Sequence, residues 1–139
     1  MFPSTVHGLK RVDGTYDKAI RLLLAKVPEE ANARGAVYAR HGDFQAMIIA
    51  GAFSMGAADQ EAFLASAKAS VAAQGLTVHT VDPGPMGGRM QCGTTRDGLI
   101  TQCAYSDSSA FGIVQVTGKG SAARATVLAL RAATERKVT

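Results

Sequence analysis

Residues 82–116 read DPGPMGGRMQCGTTRDGLITQCAYSDSSAFGIVQV, and they predict a linker, a hairpin and a further strand. The pair Asp97-Gly98 between two strand-like runs is a strong hairpin signal, because a tight primed turn needs positive φ at both central residues. Counting outward from this pair places Cys92 directly opposite Cys103. Facing residues of an antiparallel pair have Cα atoms about 4.5–5.5 Å apart, a separation that a disulfide spans. The sequence therefore predicts a Cys92–Cys103 disulfide.

Two loop lengths fit this count. A two-residue turn makes the cysteines a hydrogen-bonded pair with the wider Cα separation, whereas a four-residue loop over residues 96–99 puts them at the closer, non-hydrogen-bonded position. We favour the four-residue loop. The alternative to a disulfide is two buried free thiols. Because disulfides persist outside the reducing cytosol, the facing cysteines favour an extracytoplasmic protein.

The same stretch resembles the C-terminal extracytoplasmic domain of uncharacterised actinobacterial single-span membrane proteins, a domain of unknown function. The shared pattern is an Asp-Pro-Gly-Pro-x-Gly-Gly segment, two nearby cysteines, a small-aromatic-small-Asp run and a Gly-Val-Val strand. Here the corresponding segments are DPGPMGG, the two cysteines, AYSD and GIVQV, and the resemblance continues upstream through PSTVHGLKRVDG. Tyr105 stands where tryptophan is common. The resemblance implies a domain behind a membrane anchor. Because no anchor is present, it implies either an excised part of a longer chain or an unusual member of the family.

Length and composition predict one domain over residues 1–139, with 47% hydrophobic and 19% charged residues. No apolar stretch approaches the ~20 residues of a membrane span, and the first ten residues lack the pattern of a signal peptide. The net charge of +4 is unevenly spread along the chain. Lys/Arg outnumber Asp/Glu by seven to four in residues 1–40 and by seven to three in residues 83–139, whereas residues 41–82 carry one against four. Such a spread can give a basic face that attracts anionic partners.

Apolar repeats predict three amphipathic helices, the first closed by Pro28, the second reaching about Gln74 and the third about Lys137. Their inward stripes are Tyr16, Ala19, Ile20, Leu23, Leu24 and Val27; Phe63, Leu64, Ala67 and Val71; and Ala123, Val127, Leu130 and Thr134. Strands are predicted, besides the hairpin, in residues 3–12 as an entry strand or arm, and in residues 36–40, 44–53, 76–81 and 110–117.

This order of elements is dominated by hairpins. It predicts an α+β fold, with a mainly antiparallel sheet of about six to seven strands packed with three helices. A PsbP/Mog1-like sandwich is one architecture that the order resembles.

One group of polar residues is predicted to meet at the end of the hairpin opposite its turn. Continuing the outward count, Arg89 faces Ser106, next to Asp107 and Ser108, and His79 lies on the strand that leads to the same end. These residues are candidate ligand-binding residues. The structural alternative, which we favour, is an Arg-Asp pair and an Asx turn before the next strand.

No constellation of residues predicts catalysis, a metal or a cofactor. The run Gly118-Lys119-Gly120-Ser121 lacks the spacing of a phosphate-binding P-loop. His7, His41 and His79 are far apart in sequence and lack the paired spacing of metal ligands. No Gly-x-Ser-x-Gly elbow is present.

The sequence and the resemblance together predict a non-catalytic extracytoplasmic domain of a membrane-anchored protein that binds an unknown ligand or protein partner, and no nucleic acid. The alternative is electrostatic binding of anionic envelope polymers or lipid head groups through Lys/Arg-rich surfaces. A third hypothesis is an enzyme that uses the corner between Arg89 and Asp107.

Overall fold

The chain forms eight β-strands and three α-helices in a computed structural model that describes residues 2–14, 16–25, 32–52, 56–72 and 75–134. In chain order the elements are β1 (Thr5–Val6), β2 (Leu9–Val12), α1 (Asp17–Leu24), β3 (Arg34–Arg40), β4 (Asp43–Ala52), α2 (Ala57–Ala72), β5 (Thr77–Val81), β6 (Arg89–Thr94), β7 (Ile100–Ser106), β8 (Ala110–Thr117) and α3 (Gly120–Thr134). The predicted α+β class is confirmed. The predicted ends of the three helices near Pro28, Gln74 and Lys137 lie outside the described residues.

All eight strands belong to one sheet with the order β1-β2-β3-β4-β8-β7-β6-β5, and every neighbouring pair is antiparallel. Strands β1 to β4 run from one edge to the centre. Helix α2 then carries the chain to the far edge, from which β5 to β8 return to the centre. Strand β4 is consequently central in the sheet, and Ile48 and Ile49, whose side chains point to opposite faces, are both buried.

The prediction of six to seven strands is wrong because the single entry strand over residues 3–12 is two strands. A tight turn at His7 and Gly8 separates β1 from β2, and both residues have positive φ, at 52° and 78°. Positive φ is uncommon for residues other than glycine, so His7 gives no turn signal in the sequence.

The hairpin of β6 and β7 has the predicted register, and Cys92 and Cys103 form a disulfide with a Cα–Cα distance of 4.1 Å. The loop between the strands covers residues 96–99, as favoured from the sequence. Thr95 N donates to Ile100 O at 2.9 Å and closes the loop, and Gly98 N donates to Thr95 O at 2.8 Å within it. The four-residue loop accounts for the short Cα separation, because it puts the cysteines at a non-hydrogen-bonded position.

The face of the sheet that carries the disulfide packs against α3. Side chains alternate between the two faces of a sheet, so the register partners Cys92, Cys103 and Val114 share this face. The core here consists of Val6, Leu9, Ala36, Tyr38, Ala46, Ile48, Met90, Cys92, Cys103, Tyr105, Val114, Val116, Ala123, Val127 and Leu130. The inward positions predicted for the last helix at Ala123, Val127 and Leu130 are confirmed.

Helices α1 and α2 cover the opposite face of the sheet. Tyr16, just before α1, packs on Phe44 with ring centroids 5.8 Å apart, and Phe63 of α2 packs edge-on against Phe111 of β8 at 5.2 Å. Val71, at the end of α2, is buried. The sheet is thus a middle layer between α3 on one side and α1 with α2 on the other.

We expect the disulfide to stabilise the fold by about 3 kcal/mol, because closing a loop of this size restricts the unfolded chain. The free energy of unfolding in urea should fall by about that amount when Cys92 and Cys103 are reduced and alkylated, or when both are replaced by alanine. Equal stability of the oxidised and reduced proteins would contradict this assignment.

Candidate functional site

The predicted corner forms only in part. Arg89 faces Ser106 in the register, as counted from the sequence. The pairing of Arg89 with Asp107 is wrong, because the Arg89 Nη1 atom lies 2.7 Å from the Glu61 Oε1 atom of α2. The physical reason is strand alternation: Arg89 points to the face covered by α2, whereas the next position after Ser106 points to the other face.

Asp107 is 7% exposed and closes the turn between β7 and β8. Its Oδ1 atom accepts hydrogen bonds from Ser109 N at 2.8 Å, from Ser109 Oγ at 3.1 Å and from Ala110 N at 2.8 Å. This arrangement confirms the predicted Asx turn. Ser108 lies exposed at the tip of the turn.

The partner of Asp107 is Arg131 of α3, which is fully buried. Arg131 Nη2 lies 3.3 Å from Asp107 Oδ2, and Nη1 donates to Pro83 O at 3.2 Å. Its guanidinium also stacks over the ring of Tyr105, 4.5 Å from the centroid. Gly112 makes room for that ring, because a Cβ at position 112 would lie 2.3 Å from it.

Sequence reasoning missed Arg131. The signal was its spacing, since Arg131 lies four residues after Val127 and therefore on the same buried stripe of the helix. A buried charge needs a charged or hydrogen-bonding partner, and the pairing with Asp107 supplies it. The corner is thus occupied by contacts that hold the fold together.

His79 lies apart from this corner. It is exposed on the edge strand β5 and faces Cys92 in the register, so it stands on the opposite face of the sheet from Arg89. Asp107 lies four positions along β7 from Cys103, a distance of about 13 Å, and two strands further into the sheet. The structure therefore does not bring His79 together with Arg89 or Asp107.

A different cluster of charge lies at the other end of the sheet, where the turns β1–β2, β3–β4 and β6–β7 and the β8–α3 connection meet. We call it the basic rim, and its members are all exposed: His7, Lys10, Arg40, His41, Arg96 and Lys119. The carboxylates on these same strand ends and loops are Asp43 and Asp97. Because neighbouring strands lie about 4.8 Å apart, the sheet end that carries the rim is about 34 Å wide.

Two contacts show how closely rim side chains lie to the loops. The guanidinium of Arg40 lies over Gly8, with Nη2 3.8 Å from the place of a Cβ there. The side chain of Lys119 lies over Gly98, with Nζ 3.4 Å from the place of a Cβ. These contacts join residues from four parts of the sequence into two pairs, and the pairing of β4 with β8 places both pairs at the same end of the sheet.

The loop that carries Arg96 is fixed by hydrogen bonds. Gly118 N donates to Leu99 O at 2.7 Å, and Thr101 Oγ1 donates to Gly118 O at 2.8 Å. Within the loop, Asp97 accepts from Thr95 Oγ1 at 2.6 Å and from Leu99 N at 3.0 Å. These two bonds lower the pKa of Asp97 below its usual value, and the bond from Thr95 has the larger effect.

The opposite end of the sheet has the reverse balance. Among the described residues, the exposed charges on the strand ends there, and on the connections and first turns of α2 next to them, are Arg34 and Arg89 against Asp13, Asp59, Glu61 and Asp82. The molecule is therefore polar along the strand direction, with its positive end at the rim. Such a charge distribution gives the rim end a positive electrostatic potential.

Comparison with known proteins identifies no relative of this chain. The chain matches no family model, no curated protein and no solved structure. In the described residues, no three His, Cys, Asp or Glu side chains are grouped so as to hold a metal ion. No helix of the described part of the chain has the length and apolar character needed to cross a membrane.

If Asp107 and Arg131 serve the fold, replacing Arg131 by methionine should cost about 3–5 kcal/mol of unfolding free energy, because the Asp107 carboxylate is left buried without its partner. The matched control is Arg89→Gln, which breaks the exposed pair with Glu61 and should cost less than about 1 kcal/mol. Urea unfolding measures both.

Asp107→Asn provides a milder test in case the methionine variant does not fold. Asparagine keeps an oxygen that accepts the hydrogen bonds of the Asx turn but removes the charge. A loss for Asp107→Asn no larger than that for Arg89→Gln would show that the buried pair does not stabilise the fold.

Proposed function

We propose that this chain is a non-catalytic binding domain that works outside the cytoplasm and binds anionic groups of the cell envelope through the basic rim. The observation that carries the proposal is the assembly of Lys10, Arg40, Arg96 and Lys119 at one end of the sheet. Their side chains are exposed. Lys10 and Arg40 stand on strands β2 and β3, and Arg96 and Lys119 stand on connections held by backbone hydrogen bonds, so all four are available to a ligand without rearrangement of the fold.

The chemistry of the rim fits phosphate or carboxylate groups. Lysine and arginine bind such anions with charge-assisted hydrogen bonds, and several of them along a row suit a polymer or a surface more than a single small ligand. The side chains of the rim are all exposed, whereas a catalytic acid or base usually lies in an enclosed site. The rim therefore favours binding over chemistry.

The compartment in this proposal rests on the Cys92–Cys103 disulfide, which is consistent with an oxidising environment. The membrane anchor elsewhere in a longer chain remains a prediction from the sequence. The PsbP/Mog1-like architecture also remains a prediction. The enzyme hypothesis receives no support from Asp107, because both of its carboxylate oxygens are engaged in the Asx turn and the pair with Arg131.

A second candidate function is favoured by the edge strand β5. It is the last strand of the sheet, and its residues Thr77–Val81 contain no lysine, arginine, carboxylate or proline. Edge strands are commonly protected by such residues, so an unprotected edge suits a partner protein that adds a strand. His79 is exposed there and would contact that partner.

The dependence of binding on salt concentration distinguishes the two candidate functions. Binding through the rim depends on charge and should weaken steeply as the salt concentration rises, whereas strand addition depends mainly on backbone hydrogen bonds and should change little. Affinity for inorganic polyphosphate, measured by calorimetry at increasing salt, provides the first comparison.

Replacing Arg96 and Lys119 together by glutamine should weaken polyphosphate binding roughly tenfold to thirtyfold, since each cation near an anionic surface contributes about 1 kcal/mol. The matched control replaces Arg21 of α1 and Arg34, which are exposed away from the rim, and should leave the affinity nearly unchanged. Equal losses for the two double variants would contradict the proposal, because they would show that only the net charge matters.

A further inference from the structure

The β6–β7 loop presents an apolar side chain in the part of the basic rim that carries Arg96 and Lys119. Leu99 is 64% exposed, and the only other large hydrophobic side chain as exposed among the described residues is Leu22 of α1, at 62%. Single exposed leucines are ordinary on protein surfaces. The position of Leu99 is what matters, because it is three residues from Arg96 and lies in the loop that Lys119 covers at Gly98.

The loop has no freedom to fold Leu99 back onto the protein without breaking hydrogen bonds. The backbone of Leu99 is held at both of its polar atoms, with its N–H donating to Asp97 Oδ1 at 3.0 Å and its C=O accepting from Gly118 N at 2.7 Å. A third bond, from Gly98 N to Thr95 O, fixes the turn before it. The side chain is therefore held out toward solvent by its own backbone.

We infer that the basic rim rests on the surface of an anionic lipid bilayer, with Leu99 entering the boundary between head groups and acyl chains. Cations in one row with an exposed apolar side chain match such a surface, since the charges meet lipid phosphates while the leucine leaves water. A soluble polyanion would use the cations alone and gain nothing from Leu99. The inference rests on the proposed function and names the anionic ligand as lipid.

The width of the sheet end supports a flat partner. His7 and Arg40 lie toward one edge of the sheet and Arg96 toward the other, so a planar surface can meet cations from both halves at once. One leucine is enough for contact at the interface and far too little for insertion across it. The bound state is therefore peripheral, reversible and sensitive to salt.

The test measures sedimentation of the protein with vesicles of phosphatidylcholine alone and of phosphatidylcholine with phosphatidylglycerol in equal amounts. The wild-type protein should bind the second kind and scarcely the first. Leu99→Ser should weaken binding to the anionic vesicles about fivefold to tenfold, because the leucine no longer leaves water. The matched control is Leu22→Ser, which removes a leucine of equal exposure from α1 and should bind as the wild type does.

A measurement of polyphosphate binding distinguishes this inference from the proposed function. Leu99→Ser should bind polyphosphate as tightly as the wild type, whereas the double variant of Arg96 and Lys119 should lose both ligands. If Leu99→Ser and Leu22→Ser bind vesicles equally, or if the wild type binds polyphosphate but not anionic vesicles, the lipid inference is overturned while rim binding stands. If the double variant loses neither ligand, the proposed function fails as well.

Discussion

The buried guanidinium of Arg131 is the contact on which the arrangement of the other elements depends. It joins the last helix to three parts of residues 82–116: the carboxylate of Asp107, the carbonyl of Pro83 and the ring of Tyr105. Taking a charge out of water costs several kcal/mol, and these partners offset that cost. The position of α3 on the sheet is consequently specified by charge as well as by apolar packing.

Helix α3 connects the Arg131 contact with the other end of the molecule. The C-terminal part of α3 is held at Asp107, and its N-terminal end follows directly after Gly118 and Lys119. Gly118 in turn donates a hydrogen bond to Leu99 O of the loop and accepts one from Thr101 of β7. The disulfide holds the strands on either side of that loop in register. The contacts of the core and the proposed binding surface thus occupy opposite ends of the same elements, so the surface residues are free to serve a ligand.

Local patterns in the sequence predicted much of this fold. Facing positions in one hairpin paired Cys92 with Cys103, and apolar spacing placed Val127 and Leu130 inward. The split between β1 and β2 escaped prediction because His7 adopts positive φ, which its side chain does not signal. Arg131 escaped it because a charged residue on a helix is assigned to solvent unless a buried partner is known, and Asp107 is distant in sequence.

The basic rim could not be predicted for a related reason. Its members come from turns near residues 7, 40, 96 and 119, and only the strand order brings these turns to one end of the sheet. Strand order is a nonlocal property, set by how α2 crosses from the centre to the far edge, and no short-range pattern encodes it. The predicted pairing of Arg89 with Asp107 was wrong for a local reason. Successive side chains of a strand point to opposite faces of the sheet, so these two side chains do not meet.

The most direct test of the account is a nitrogen–proton correlation spectrum of the protein titrated with inorganic polyphosphate. The account predicts that shift changes concentrate on the amides of His7, Arg40, Arg96 and Lys119 and disappear when salt is added. Changes concentrated on β5, or on the turn around Asp107, would contradict it and would place the binding surface elsewhere.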